Sequence, residues 1–357
     1  MPQGPRLDPT TLTFELPGGP VRLSDYLERA CVDAFVALHR GRVVIEHYAP
    51  HMDAAQPHLW ASMAKNVVGL LAHLLAHAGT MRLDAPLATW VPELAGTPIG
   101  DATMQQNLDM EVAVGWPAAL PPDVGLFAAI GTLARPEGAP ASIAEYVQRC
   151  QQAVPFESGA CWYYQNGSPE AVAWAIRRAT GRPLAWLLSE LVWAPLGCED
   201  DGDWIVDEVG AEFASGGLAT TARDLARFVE LLRTRGRAGD AQIVPETAVE
   251  AMLAPVDNRA RFARGHLAPG RDGYAYRNYV YHVNDANRAL QGVGRFGQWF
   301  HVDPVRELTV VQFASRPDAA ARPIAPAPLP PLPQPEFEGR WIVDIARAVG
   351  EAAVRAD

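Results

Sequence analysis

The sequence predicts an α+β fold: an antiparallel sheet built from both ends of the chain and flanked by helices, with a mainly helical part inserted between them. Three observations carry this. Strand-like alternation occurs early, in "AFVALHRGRVVIEHYA". It returns only late, in "GYAYRNYVYHV", "GQWFHVDP" and "ELTVVQFAS". From about Arg82 to Leu232 the pattern is helical or irregular. We expect one part formed by residues 1–81 and 233–357, an inserted helical part over 82–232, and a cleft between them.

The elements follow in order. "VRLSDYLERACVD" has amphipathic helical spacing, and the next stretch reads as a hairpin turning at Arg40-Gly41. In "HLWASMAKNVVGLLAHLLAHAG", Val67, Val68, Leu70, Leu71, Leu74, Leu75 and Ala78 recur at helical spacing, and Gly79 is the stop. The middle holds helical stretches such as "ASIAEYVQRCQQAV", "SPEAVAWAIRRATG", "PLAWLLSELVWAPLG" and "TTARDLARFVELLRTRG". "WPAALPPDVGLFAAIGTLARPEGAPA" is rich in Pro, Gly and Ala and reads as a loop bordering the cleft. Of the late strands, the last two are separated by a turn at Asp303-Pro304. The Pro-rich segment 323–335 reads as a stiff surface loop before a closing helix, "GRWIVDIARAVGEAAVRA".

Composition excludes some functions. The chain is 49% hydrophobic and 20% charged, an ordinary globular balance. A net charge of −11 makes it a poor partner for nucleic acid and for anionic membranes. No run of eighteen apolar residues is present, and the N-terminus shows no apolar signal core. Cys31, Cys150, Cys161 and Cys198 have no metal or redox spacing and read as free thiols of a reducing compartment. We therefore expect a cytoplasmic protein, a monomer or homodimer, with a small-molecule partner and no cofactor. His73 and His77 have the i, i+4 spacing of zinc ligands. Leu74 stands where a zinc protease needs Glu, and no third ligand is evident, so no metal is expected.

Thirty residues are Lys or Arg, and Lys65 is the only lysine. It follows Ser62 by three positions at a helix start, so the two side chains share a face. Serine needs a base to become a nucleophile, and a lysine becomes one when burial or nearby cations lower its pKa. Arginine stays protonated and cannot do this. A bare S-x-x-K match occurs often by chance, and a lysine near a helix start is more often simply solvated. Next, Tyr164-Gln165-Asn166 places a phenol and an amide two residues apart. The phenol can relay a proton, and the Asn166 amide can orient a lysine or bind a substrate carbonyl. Tyr163, and Tyr164 taken alone, read more simply as packed aromatics. "GVGRFGQWFHVDP" formally contains G-x-G-x-x-G, but a strand pattern follows it, not a helix. It therefore reads as a strand whose glycines let a ligand approach, with the Arg295 cation nearby and the Gln298 amide facing the cleft. No G-x-S-x-G occurs.

S-x-x-K, then Y-x-N about a hundred residues on, then a late glycine motif resemble the serine β-lactamase and penicillin-binding-protein superfamily. The chain is similar to its class C-like branch, and most similar to the amidases and esterases of the 6-aminohexanoate-dimer hydrolase type. "MRLDAPLATWVPEL", "ATMQQNLDM", "WAPLG" and "SGGLATTARDLARF" look like that family's connecting segments. The resemblance implies a β-lactamase/transpeptidase-like fold, with Ser62 as nucleophile, Lys65 as base or relay, and Tyr164 exchanging protons with Ser62 and the leaving group. Asn166, Arg295 and Gly297 would bind substrate. The backbone N–H groups of Ser62 and Gln298 would form the oxyanion hole. It implies a serine hydrolase acting on a small amide through an acyl-enzyme. A carboxylesterase on the same site is the alternative, and a non-catalytic ligand- or partner-binding member is a second. Which of Lys65 and Tyr164 takes the first proton is open. Two departures stand out. Arg295-Phe296-Gly297 replaces the Lys-Thr-Gly of penicillin-recognising members, which argues against a dedicated β-lactamase. Glu111-Val112 follows Asp109-Met110 where relatives commonly have Thr-Ser-Gly, which is expected to reshape the cleft wall or the helical packing.

Overall fold

A computed structural model of the chain describes residues 1–16, 19–117, 122–151, 156–316 and 338–357. A short ribbon comes first, β1 (Thr13–Leu16) against β2 (Gly19–Arg22), then α1 (Leu23–Arg29). The hairpin β3 (Val32–His39) and β4 (Arg42–Tyr48) turns at Arg40-Gly41. Both turn residues have positive φ, 50° and 72°, as a two-residue turn matching strand twist requires. β5 (His58–Leu59) leads through a single helical turn, Ala61–Met63, into α2 (Ala64–His77). Almost all of α2 is buried, as expected of a helix apolar nearly all round.

The middle of the chain is mainly helical: α3 (Pro98–Asp101), α4 (Met104–Leu108), α5 (Pro122–Ala129), α6 (Ile143–Gln148) and α7 (Gly167–Thr180). α8 (Leu184–Leu188) and α9 (Ala194–Leu196) follow, joined by a π turn. The stretch read as a Pro/Gly/Ala-rich loop thus contains a helix, α5, which packs on α6. β6 (Asp203–Trp204) and β7 (Leu218–Thr220) pair with each other, and β7 pairs with β5. α10 (Ala222–Arg233) lies on the sheet against β3, although it falls within the stretch read as inserted.

The remainder returns to the sheet. β8 (Arg237–Ala238) and β9 (Ala241–Gln242) form a small ribbon, followed by α11 (Glu246–Leu253) and α12 (Arg259–Phe262). "GYAYRNYVYHV" is two strands, β10 (Ala275–Arg277) and β11 (Val280–His282), turning at Asn278-Tyr279 with φ of 53° and 64°. β12 (Leu290–Gly294), β13 (Gln298–Asp303) and β14 (Leu308–Ala314) complete it, and α13 (Glu338–Ala356) closes the chain.

The resulting seven-stranded antiparallel sheet runs β10-β11-β12-β13-β14-β3-β4, so the two ends of the chain meet at β14–β3. Its strands are buried on both faces, with side chains alternating between two cores. Phe35, Ala37, Trp299 and Val310 pack with α1, β1 and α13. Val36, Leu38, Phe300, Val311 and Phe313 pack with the core that includes α2, α7 and α10. Among the described residues, no helix is long and apolar enough to cross a membrane. The four cysteines are free thiols. The Pro-rich segment 323–335 lies outside the described residues.

Candidate active site

The helical turn Ala61–Met63 is held from three sides. The Trp60 amide donates to the Leu218 carbonyl at 2.8 Å, and the Trp60 indole N–H donates to Thr220 Oγ1 at 2.7 Å. His58 ties β5 down, with Nε2 3.0 Å from Asp33 Oδ2 and Nδ1 3.0 Å from the Leu59 carbonyl. β12 presses on the third side. A Cβ on Gly294 would stand 2.7 Å from the Trp60 carbonyl, and one on Gly292 would meet the Phe300 ring. These glycines therefore admit the turn and a neighbouring aromatic ring, which corrects their reading as an approach for a ligand. Ala61 has φ of +48°, a strained conformation for a residue with a side chain, immediately before Ser62.

Ser62 keeps some exposure, while Lys65 is fully buried. Lys65 Nζ donates to Ser62 Oγ at 2.9 Å and to the Ser215 carbonyl at 2.6 Å. Burial pushes the Lys65 pKa down to about 7, the Arg295 cation acts in the same direction, and Glu170 and Asp123 oppose them. Its place in the first turn of α2, at the positive end of the helix dipole, also favours the neutral amine. Glu170 is buried behind the Ser215 carbonyl. Its two carboxylate oxygens accept the amides of Ser215 at 2.8 Å and Ala214 at 3.1 Å. The lysine-orienting role read for Asn166 thus falls to the Ser215 carbonyl.

Tyr164 sits above this pair, with Lys65 Nζ 5.1 Å from its ring centroid. Burial raises its hydroxyl to about 12, against the lowering effect of its hydrogen bonding with Ser62. Its segment hangs from two carbonyls: the Tyr163 amide donates to Met110 at 2.7 Å and the Trp162 amide to Arg261 at 3.2 Å. Glu111 ion-pairs with Arg261 at 3.0 Å and accepts from Asn258 at 3.2 Å. The departure at Glu111 thus supports the tyrosine segment from behind. Tyr163 is half-buried between Phe156 and His266.

The β-lactamase family model matches residues 25–328, most of the chain. The chain belongs to this family. Its membership and its relatives make it a hydrolase, of the serine type found in this superfamily. A 6-aminohexanoate-dimer hydrolase from Paenarthrobacter ureafaciens is 29% identical over 307 residues, covering 84% of this chain and 76% of that protein. A Bacillus anthracis structure, provisionally named a 6-aminohexanoate-dimer hydrolase, is 30% identical, with a TM-score of 0.84 over 98% of this chain and 88% of that one. A family VIII carboxylesterase shares the fold, with a TM-score of 0.62 at 16% identity over 91% of this chain and 92% of that one. The β-lactamase-type fold expected from the motifs is the fold observed.

Of the other residues that the family motifs singled out, Arg295 and Asn166 meet at one carboxylate, that of Asp123. Arg295 and Gly297 form the turn between β12 and β13. Arg295 reaches Asp123 Oδ2 at 2.5 Å and lies over the Phe127 ring. Asn166 Nδ2 points to the other oxygen, Asp123 Oδ1, at 3.5 Å, and Asn166 Oδ1 is buried with no partner among the described residues. The Gln298 side chain does not face the cleft. Its amide donates to the Ala314 carbonyl at 2.6 Å and accepts the Ala314 amide at 2.9 Å, bridging the bulge in β14. On α2, His73 is buried and His77 Nδ1 pairs with Thr247 Oγ1 at 3.1 Å. Among the described residues no three ligand side chains gather for a metal. Ser215, Glu170 and Asp123 are the residues that sequence reasoning missed.

Proposed function

We propose that this hydrolase is an amidase acting on a small linear amide of the 6-aminohexanoate-oligomer type through a Ser62 acyl-enzyme. The observation that carries the reading is the 2.9 Å contact between Ser62 Oγ and a buried lysine whose pKa is lowered to about 7. About half of such lysines are neutral at pH 7, so Lys65 can accept the serine proton as Ser62 attacks the carbonyl carbon. Tyr164, at about 12, stays protonated and serves as a donor rather than as the first base. The tetrahedral oxyanion is held by the backbone N–H groups of Ser62 and Gln298, whose segments the Gly294 contact brings together. The amine leaves with a proton delivered through Tyr164 from Lys65. Water then attacks the acyl-enzyme, gives its proton back along the same route, and frees the acid and Ser62. The free thiols support a reducing compartment, and we place the protein in the cytoplasm.

A fluorophosphonate probe followed by peptide mass spectrometry tests the site. One adduct on Ser62, lost in Lys65→Ala, is expected; labelling elsewhere on folded protein overturns the assignment. Relative kcat/KM on linear aminohexanoate dimer and on short-chain nitrophenyl esters tests the substrate. Ester turnover without dimer hydrolysis would keep the site and make the enzyme a carboxylesterase.

A further inference from the structure

Asn166 and Arg295 come from different motifs and different parts of the fold, yet they converge on one carboxylate. Asp123 Oδ2 takes the Arg295 guanidinium at 2.5 Å, and Asp123 Oδ1 faces Asn166 Nδ2 at 3.5 Å. Asp123 belongs to α5, and Arg295 to the β12–β13 turn that faces it through this contact. The pair is open to solvent, with side chains 41% and 47% exposed, so a ligand can reach both partners. The same carboxylate acts electrostatically on Lys65 and Tyr164, so it lies within reach of their charges. A planar guanidinium with an amide donor beside it is a carboxylate receptor. Here the receptor is filled from within the chain.

We propose that Asp123 is a specificity-determining residue: it occupies the anion subsite formed by Arg295 and Asn166, and a substrate carboxylate must displace it to bind there. This rests on the reading of Ser62 as nucleophile with Arg295 and Asn166 at the substrate. Exposed ion pairs are individually weak, so displacement is feasible by side-chain rotation alone. Its cost falls only on ligands that use the subsite. Neutral substrates leave the pair in place.

The test uses Asp123→Asn in the full chain, with hexanoate as a competitive inhibitor and two substrates, a neutral nitrophenyl butyrate and linear aminohexanoate dimer. The expected result is a roughly 3- to 10-fold lower Ki for hexanoate and a matching fall in KM for the dimer. KM for the neutral ester should not fall with them, because the subsite is not engaged. In an Arg295→Gln background the same substitution should have no further effect on hexanoate. Equal losses of kcat on both substrates would make Asp123 a structural brace for Arg295 and overturn the proposal. So would a rise in KM confined to the dimer, which would make Asp123 a ligand for the substrate's ammonium group. If the dimer is not a substrate, hexanoate inhibition of ester turnover still decides the question. If the ester is not turned over either, fluorophosphonate labelling decides the Ser62 reading separately. Hexanoate affinity measured by calorimetry then reads the subsite directly, and an unchanged or weaker affinity in Asp123→Asn counts against it.

Discussion

Glu170 accepts the Ser215 amide at 2.8 Å, and the carbonyl of that same Ser215 accepts Lys65 Nζ at 2.6 Å. One buried carboxylate thus braces the carbonyl that positions Lys65, and its charge opposes the burial that lowers the Lys65 pKa. Glu170→Gln would set an amide NH2 against a backbone N–H, donor facing donor. It would also remove a negative charge that raises the Lys65 pKa. We expect kcat to fall about tenfold or more with KM little changed, and the acidic limb of the kcat/KM profile to move to lower pH. A limb moving upward would show that the charge of Glu170 does not reach Lys65.

Lys65 itself separates charge from basicity. Lys65→Arg keeps the charge and loses the base, so activity should fall about as far as in Lys65→Ala, by 1,000-fold or more. In the wild type, kcat/KM should rise through an apparent pKa near 7 as the amine deprotonates. Stability should show the same group. The native state releases this proton near pH 7, while the unfolded chain holds it to about 10.5. Between those values the unfolded state binds more protons, so stability rises with pH, and the burial penalty is fully present below pH 7. Lys65→Met should therefore be inactive but more stable at pH 6, by about 1–2 kcal/mol after the Ser215 carbonyl loses its donor. Denaturant melts at pH 6 and pH 9 would check this, since the gain should shrink at the higher pH.

Asp109 carries a pH dependence of the opposite sign. Burial raises its pKa to about 7, even though Oδ1 accepts the Asn278 amide at 3.0 Å and the Gln105 amide at 2.8 Å. The native state keeps this proton up to pH 7, and the unfolded chain loses it near 3.8. Its stabilising contribution is therefore complete below about pH 4 and is lost as pH rises to 7. Asp109→Asn keeps the accepting oxygen and cannot ionise. The stability of the variant relative to wild type should grow between pH 4 and pH 7, on the order of 1–3 kcal/mol, and stay level above. A constant difference across that range would show that Asp109 is ionised in the native protein throughout.

These predictions rest partly on residues that the sequence displayed and partly on residues it hid. Ser62 and Lys65 were legible because helical spacing alone puts them on one face. Tyr164 was legible only through its order relative to them. The β3–β4 hairpin was legible because Arg40-Gly41 is a turn signal between apolar runs. Ser215 was not legible, since its carbonyl carries no side-chain signature and reaches Lys65 only through the pairing of β5 with β7. Glu170 is an acid in the first turn of α7, where it reads as an ordinary charge favourable to the helix dipole. Only burial reveals its other role. Gln298 shows the converse error: an amide beside a glycine motif looked like a ligand contact, but the bulge in β14 left backbone groups that claim it.

The glycines of β12 bear directly on the turn that carries Ser62. Gly294 lies so close to the turn before Ser62 that a Cβ would sit 2.7 Å from the Trp60 carbonyl and 3.0 Å from Ala61 Cβ. The obstacle is backbone, and Trp60 is locked by Leu218 and Thr220, so the turn cannot yield without breaking those bonds. Gly294→Ala should therefore push the turn away from β13 and separate the Ser62 and Gln298 amides. We expect a stability loss of about 1–3 kcal/mol. We also expect kcat to fall about 100-fold, as when an oxyanion donor is lost. Fluorophosphonate labelling of Ser62 should slow alongside it, because its phosphoryl oxygen uses the same donors. Normal labelling and turnover in a folded Gly294→Ala protein would show that the oxyanion donors lie elsewhere.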